Sequence, residues 1–418
     1  MLENLKIDKI MRILESELKI NLERKGSNIL FLCPFHNDKN PSLSLETNKK
    51  FFKCFGCQFK ARDIYHFWSI YKGIDIEETI RELYSLGYIN SMKFYDPEKE
   101  KNKKYFETLE TFSDLYMNNL LSSNCNEALK YLTEVRKIPK SMIRFFNIGA
   151  SLGNNQITEI LKKNIDDEIA KSAIDLKLVS FKNNKNFDFF WKKQIILPIK
   201  DENGRVVSIA SRSLENNAGN KYLFLPTNVL REKSSLIYNY YNVKISNEKF
   251  CYLVEGFFDV ISMTLYGIKN CLSTLGSTVS DSQIETLKKL KKKIIIFFDG
   301  DQAGFEGSIF TSIKFIENDI DCEIIECKDK FDPDELCKND KIKHLIDNAH
   351  NPIIFSIFYY YKKFELVENP QRNSQFIKLI SKIFNKLSDD IKEFIIKKIS
   401  EIVNLEYNKT KEIFNKVE

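Results

Sequence analysis

Apolar residues recur at helical spacing across residues 4 to 20 (Leu5, Ile10, Met11, Leu14, Leu18), so the pattern predicts an opening helix. Asp63 stands where it can cap an aromatic helix over Ile64 to Tyr71, and a further helix over Ile76 to Leu86 ends at Gly87. From about 105 to 163 the period is again helical. From Phe187 it gives way to short β-type runs, Ile195 to Ile199, Val206 to Ala210 and Tyr222 to Leu225, with Asp201-Glu202-Asn203-Gly204 as a hairpin turn. From Phe250 the pattern alternates: strand Cys251 to Val254, helix Phe258 to Tyr266, helix Asp281 to Lys292 capped by Ser280, strand Ile294 to Phe298, helix 303 to 318, strand Cys322 to Cys327. Such alternation means a parallel sheet. After Asp347 the pattern is helical to the end, over Ile353 to Phe364, Phe376 to Leu387 and from Ile391.

Lys93 to Lys104 is almost all charge with nothing to bury, and so reads as a linker. At 418 residues, 43% hydrophobic and 29% charged, the chain has room for two or three domains of ordinary globular composition. The densest uncharged apolar stretch, Asn351 to Tyr361, is far short of the roughly 20 residues of a membrane span. Charges alternate through the first residues where a signal peptide would be apolar, so a cytoplasmic protein away from membranes is expected. Nine scattered cysteines agree, and six of them (Cys125, Cys251, Cys271, Cys322, Cys327, Cys337) read as small buried hydrophobes. The net charge of +6 is uneven: residues 1 to 248 carry 39 basic and 31 acidic side chains, residues 249 to 418 carry 25 and 27. That distribution suits a polyanion held by the front of the chain, although Lys-rich composition throughout would produce a basic excess without a ligand.

Cys33-Pro34-Phe35-His36 and Cys54-Phe55-Gly56-Cys57 form two short knuckles, 17 residues apart, of the kind that closes a tetrahedral Zn²⁺ site. Cys33, His36, Cys54 and Cys57 would leave no open position, so one structural zinc is expected. Lys49, Lys50, Lys53, Lys60 and Arg62, interleaved with Phe51, Phe52 and Phe59, could track a single strand and stack bases, or the aromatics could be the core of this small domain. His66 reads as packing. Further on, Asp299-Gly300-Asp301 directly follows an apolar strand, with Glu255-Gly256 lying 44 residues before Asp299 and Asp332-Pro333-Asp334-Glu335 beginning 31 after Asp301. Carboxylates at the carboxyl ends of buried strands converge on the ligand crevice of α/β sheets, and hard oxygen donors select Mg²⁺ or Mn²⁺. Each acidic turn taken alone is equally a helix cap.

With both constellations in place, the chain resembles the DnaG-type primases of bacteria and phages. The zinc-ribbon likeness rests on Cys33 to His36, Pro41-Ser42 and Lys53 to Cys57. Arg136 and Ile148-Gly149 resemble the start of the family's RNA polymerase domain. Gly204 to Val207, Arg212, Lys221-Tyr222-Leu223, and Lys233 with Tyr238 resemble its basic nucleotide-binding segment. Val254 to Val260, Thr274 to Ser277, Phe298 to Asp301 and Asp332 to Glu335 resemble its Toprim metal site.

The resemblance implies a zinc-ribbon DNA-binding domain (1–92), a linker (93–104), a basic mixed α/β part of the polymerase core (105–248), a Toprim parallel sheet (249–345) and a helical bundle (346–418). The fold class is thus α/β with α+β N-terminal parts. It implies primer synthesis from ribonucleoside triphosphates on single-stranded DNA, with an RNA primer as product. Glu255, Asp299 and Asp301 would be catalytic, joined by Asp259, Asp332 and Asp334 around Mg²⁺ or Mn²⁺. Arg136, Arg212, Lys221, Tyr222 and Lys233 would hold nucleotide and primer-template. Gln58 and Ala61 replace family glycines, Lys137 replaces the glycine of an Arg-Gly-Leu stretch, and Phe224 stands for an asparagine. The chain stops at Glu418, about where the family's helical tail ends, which implies a replicative helicase partner only without the usual docking domain. A Toprim nuclease or topoisomerase-like enzyme, or a non-catalytic zinc-ribbon protein that binds single strands, are the alternatives.

Overall fold

The computed structural model describes residues 5–17, 19–74, 76–89, 102–163, 167–182, 185–190, 193–214, 221–327, 331–364 and 369–416. Leu18 and residues 93–101 of the expected linker lie outside them. The chain divides into two compact units, Met1–Lys101 and Asn102–Glu418. No helix among the described residues is long and apolar enough to cross a membrane.

The first unit is built on an antiparallel sheet in the order β1-β2-β3-β4-β5, with β1 Glu23–Lys25, β2 Asn28–Phe31, β3 Leu43–Glu46, β4 Phe51–Cys54 and β5 Lys60–Ala61. Alternation places Ile29 and Phe31 of β2 and Phe52 and Cys54 of β4 inward. The core is aromatic. Phe67, on the helix Ile64–Lys72, stacks on Phe52 at 4.7 Å and meets Phe35 and Phe59 edge-on at 5.6 and 5.9 Å. Phe52 and Phe59 are therefore core residues rather than base-stacking platforms. Asp63 caps this helix by accepting from the His66 amide at 2.8 Å, and Gly73 ends it at φ +68°. The opening helix is shorter than the sequence suggests: α-helix over Ile7–Arg12, then a π-helical turn over Ile13–Glu17.

In the second unit, the helix Lys103–Leu121 lies against an antiparallel sheet ordered β11-β10-β9-β6: β6 Gly149–Leu152, β9 Lys193–Lys200, β10 Val206–Ser213 and β11 Tyr222–Phe224. Strand β6 interrupts the stretch where the period looked helical. Its burial pattern is continuous rather than alternating, and Gly149 is there because a Cβ would sit 2.5 Å from the Tyr116 backbone. The β9–β10 hairpin is closed by Asp201, which accepts from the Asn203 and Arg205 amides at 2.9 Å and from the Arg205 guanidinium. A two-stranded ribbon, β7 Val179–Lys182 with β8 Lys185–Asp188, was not legible in the pattern.

The third sheet, β13-β12-β14-β15-β16, is parallel through β12 Phe250–Val254, β13 Cys271–Ser273, β14 Lys293–Ile296 and β15 Cys322–Ile325, with β16 Ala349–His350 antiparallel at its edge. Successive residues feed two different cores: Tyr252, Val254, Ile295 and Phe297 on one face, Cys251, Leu253, Ile294 and Ile296 on the other. Burial on both faces is why these strands read as unbroken apolar runs. The helices Pro352–Lys363, Pro370–Ile383, Asp389–Val403 and Tyr407–Asn415 complete the second of these cores through Phe376, Ile380, Phe384, Ile395 and Phe414.

Gln58 and Lys137, which stand where the resembled family has glycine, have φ of +62° and +59°, in the left-handed region that disfavours a Cβ. Ala61 in β5 carries no such strain. Gln58→Gly and Lys137→Gly are each expected to stabilise their unit by about 0.5–1 kcal/mol, the left-handed cost less the entropy of a more flexible unfolded chain. The readout is a higher urea midpoint at constant m-value; a lower midpoint would show that the native side chains make compensating contacts.

Candidate metal centres and their basic surround

The thiols and imidazole of Cys33, His36, Cys54 and Cys57 come together so that their ligand atoms all lie within 4.8 Å of one another, and no other such group of His, Cys, Asp or Glu occurs among the described residues. Strand β4 delivers Cys54, and the turn after it delivers Cys57. The Gly56 and Cys57 amides donate to Cys54 Sγ at 3.3 Å, which fixes the sulfur as an acceptor. Burial pushes the Cys54 thiol up, but hydrogen bonds from Ser42 and these two amides outweigh it and hold it below the ordinary value. His36 turns Nδ1 toward Cys54 Sγ at 4.0 Å and Nε2 toward Asp38 Oδ1 at 3.7 Å. Asp38 also accepts from the Cys33 amide at 2.9 Å and the Ser42 hydroxyl at 2.6 Å. A carboxylate behind a ligating imidazole orients the ring, a role the sequence reading did not give Asp38. Gly56 is required because a Cβ would lie 2.7 Å from His36 Nε2.

The acidic centre forms at the carboxyl ends of the parallel strands. Glu255 follows β12, and Asp299 and Asp301 follow β14. Asp259 lies one turn into the helix Phe257–Leu265, and Asp332 and Asp334 begin the helix Pro333–Lys338. Glycines allow the close approach: a Cβ on Gly300 would be 2.6 Å from the Cys327 carbonyl, and one on Gly304 would be 2.1 Å from the Asp299 carbonyl. Glu255 Oε1 accepts from the Asp299 amide at 3.0 Å. Asp259 accepts from the Gly256 amide at 2.9 Å and the Asp334 amide at 3.3 Å. Asp301 and Asp332 cap their helices by accepting from the Gly304 and Glu335 amides at 2.8 and 2.6 Å.

Charge crowding marks this centre. Burial, then the charges of Asp299, Asp332 and Asp334, pushes Asp259 up to about 8. Burial, then Glu255, Asp332 and Asp301, pushes Asp299 up to about 7, with Lys221 pulling it down. Burial also raises Glu255, as do Asp259 and Asp301, against the amide of Asp299. Asp299 Oδ1 is buried and has no hydrogen-bond partner. An orphaned carboxylate oxygen among repelling carboxylates is an acceptor set that fits a hard divalent cation.

Two sequence expectations are corrected here. Asp334 is not available as a ligand: it is 3% exposed, and its carboxylate takes hydrogen bonds from Arg136 and Lys338 at 2.6 Å each and from the Ser262 hydroxyl. Arg136 for its part does not reach toward a nucleotide. Its Nε donates to Tyr131 Oη at 2.8 Å and its guanidinium lies 4.6 Å from the Phe258 ring centre. Arg212 covers the same ring at 4.9 Å and donates to Tyr222 Oη at 2.8 Å, so the polar tip of Tyr222 is occupied as well. These residues form a wall beside the acidic centre. Lys338, one helical turn after Asp334, was the signal for this pairing. Lys221 acts on Asp299, and Lys233 lies 4.8 Å over the Phe224 ring, which itself stacks on Phe257 at 6.1 Å. Arg136→Ala would leave a buried carboxylate short of its partner and is expected to cost the second unit on the order of 3 kcal/mol. Thermal melting tests this, and an unchanged midpoint would show that Lys338 alone satisfies Asp334.

Comparison with known proteins gives three family matches along the chain: the CHC2 zinc finger over residues 2–99, the N-terminal domain of the DNA primase catalytic core over 115–244, and a Toprim-like domain over 252–337. The chain is 32% identical over 411 residues to the DNA primase of Lactococcus lactis, covering 95% of this chain and 63% of that protein. It is 31% identical over 394 residues to that of Clostridium acetobutylicum, covering 92% and 64%. It thus spans a little under two thirds of the length of these relatives. The crystal structure of the zinc-binding and RNA polymerase domains of the Aquifex aeolicus primase is similar over 98% of this chain and 99% of that one, with a TM-score of 0.60 and 25% identity. A primase domain from Pseudomonas aeruginosa shares the fold over 74% of this chain and 99% of its own, with a TM-score of 0.64 at 21% identity.

Proposed function

Because the chain belongs to the DnaG-type primase family, carrying its zinc-ribbon, catalytic-core and Toprim parts, we propose that it is a DNA-directed RNA polymerase that makes short RNA primers from ribonucleoside triphosphates on single-stranded DNA. The observation that carries this reading is Asp299 Oδ1, buried without a partner among like charges. Glu255, Asp299, Asp301, Asp259 and Asp332 would hold Mg²⁺ or Mn²⁺. When bound, such ions neutralise phosphate charge, favour the alkoxide form of a 3′-hydroxyl and steady a pyrophosphate leaving group.

The chain's own side chains do the rest. Lys221, whose charge already acts on Asp299, meets the nucleotide phosphates, and Lys233 above Phe224 meets the primer-template backbone. Arg136 and Arg212 keep the flanking wall rigid. Cys33, His36, Cys54 and Cys57 hold one structural zinc, which presents Phe55, 62% exposed with Lys53 Nζ 5.0 Å from its ring centre, to a template base. This activity belongs in the cytoplasm, at the replication fork.

The test is incubation of the purified chain with labelled ribonucleotides, single-stranded DNA and Mg²⁺ or Mn²⁺. Short RNA products are expected; their absence with both metals would sink the reading.

A further inference from the structure

The helix Gln302–Glu317, capped by Asp301, and the helix Pro352–Lys363 enclose a cavity of about 1100 Å³. Its lining includes Asp301, Phe305, Glu326, Phe358, Tyr359 and Lys362. Phe305 stands nearly parallel to Phe355 at 6.3 Å and to Tyr359 at 5.7 Å, so flat faces make up the wall. Phe358 is 46% exposed, a large cost for a ring that serves only the core. Glu306, also on the lining, is already balanced by Lys363 at 2.8 Å and Gln302 at 3.1 Å. Asp301 and Glu326 then face a single Lys362.

That balance decides the occupant. A lining with more carboxylate than ammonium does not track a phosphate backbone, which requires a positive groove. Aromatic faces edged by carboxylate acceptors suit a flat ring bearing N–H donors. Asp301 belongs both to this lining and to the acidic centre, so one molecule can present a ring to the cavity and phosphates to the centre.

We propose that the cavity is a nucleobase subsite, taking the ring of a nucleoside triphosphate whose phosphates meet the cation held by Asp299 and Asp301. The proposal rests on the primase reading for the phosphate end only. The ring end stands on the aromatic wall.

The experiment is isothermal titration of the full chain in Mg²⁺ with two probes, ATP and inorganic tripolyphosphate. Phe358→Ala is expected to weaken ATP about tenfold, as loss of one base–aromatic stack does, and to leave tripolyphosphate within twofold. Phe358→Trp should restore ATP binding, and an unshifted thermal midpoint excludes unfolding. Unchanged ATP affinity, an equal loss for both probes, or no binding of either probe by the native chain overturns the subsite. Primer synthesis separates the two readings: primers with ATP binding unaffected by Phe358→Ala sink only the subsite, whereas selective ATP loss without primers sinks the primase reading and leaves the subsite standing.

Discussion

Asp299→Asn is expected to cut primer synthesis by well over a hundredfold while making the cation-free protein more stable. Loss of a residue that only orients a ligand costs 10–100-fold, and loss of a ligand itself costs more. The stability gain follows from crowding. Asp299 and Asp259 are pushed up to about 7 and about 8, chiefly by burial and then by neighbouring carboxylates. Both values lie above the 3.8 of an ordinary aspartate, so the folded state binds protons that the unfolded state has released. The stability from those protons is fully present below pH ~4 and is lost as pH rises through about 7 and then about 8. In buffer without divalent cations the native chain should thus weaken steadily from pH 5 to 8.5, and Mg²⁺ should reverse the loss. Asn keeps the shape and removes one charge, so the variant's profile should be flatter and its midpoint higher at pH 8 by ~2 °C, the effect of about 1 kcal/mol in a unit of this size. Urea melts across that range, with and without Mg²⁺, measure it. Full synthesis by Asp299→Asn, or a native profile that rises with pH, would remove the acidic centre from consideration.

The two ligand constellations were legible because each is local in sequence. A two-residue gap between zinc ligands and an acidic turn directly behind an apolar strand are dictated by backbone geometry over a few residues, and the structure brings those residues to knuckles and strand ends. Partnerships across 198 residues, such as Arg136 with Asp334, leave no such trace. The motif match drew both residues toward ligands, whereas the packing sends each to the other. The same limit explains β6: four residues buried throughout against the helix Lys103–Leu121 have no period to distinguish them from helix. Asp38 was missed because a residue that orients a ligand is fixed by the fold of the turn rather than by spacing.

Removing zinc should separate the two units thermodynamically. The first unit has a small core, concentrated around Phe31, Phe52, Phe67 and Trp68, and a domain of that size is marginal from burial alone. Its sheet depends on the knuckle: β4 ends at Cys54, whose amide donates to the Phe59 carbonyl at 2.8 Å, and β5 pairs only through the turn that Cys57 closes. Structural zinc contributes ~10–16 kcal/mol in isolated fingers at neutral pH, more than the ~5–15 kcal/mol by which whole domains are stable. Without it, Cys33 becomes a thiol among thiols, pushed up to about 12 chiefly by burial, and nothing replaces the lost bonds. Cys54→Ser, or chelation of the native chain, is therefore expected to unfold the first unit outright. The second unit, whose two cores contain none of these four ligands, should keep its own melting transition. Limited proteolysis should then leave a fragment beginning near residue 102, and native protein should carry about one zinc per chain. A metal-free protein whose first unit still resists protease would mean that the aromatic core alone holds the ribbon. In that event His36 and the three cysteines would be free to serve an exchangeable rather than a structural ion.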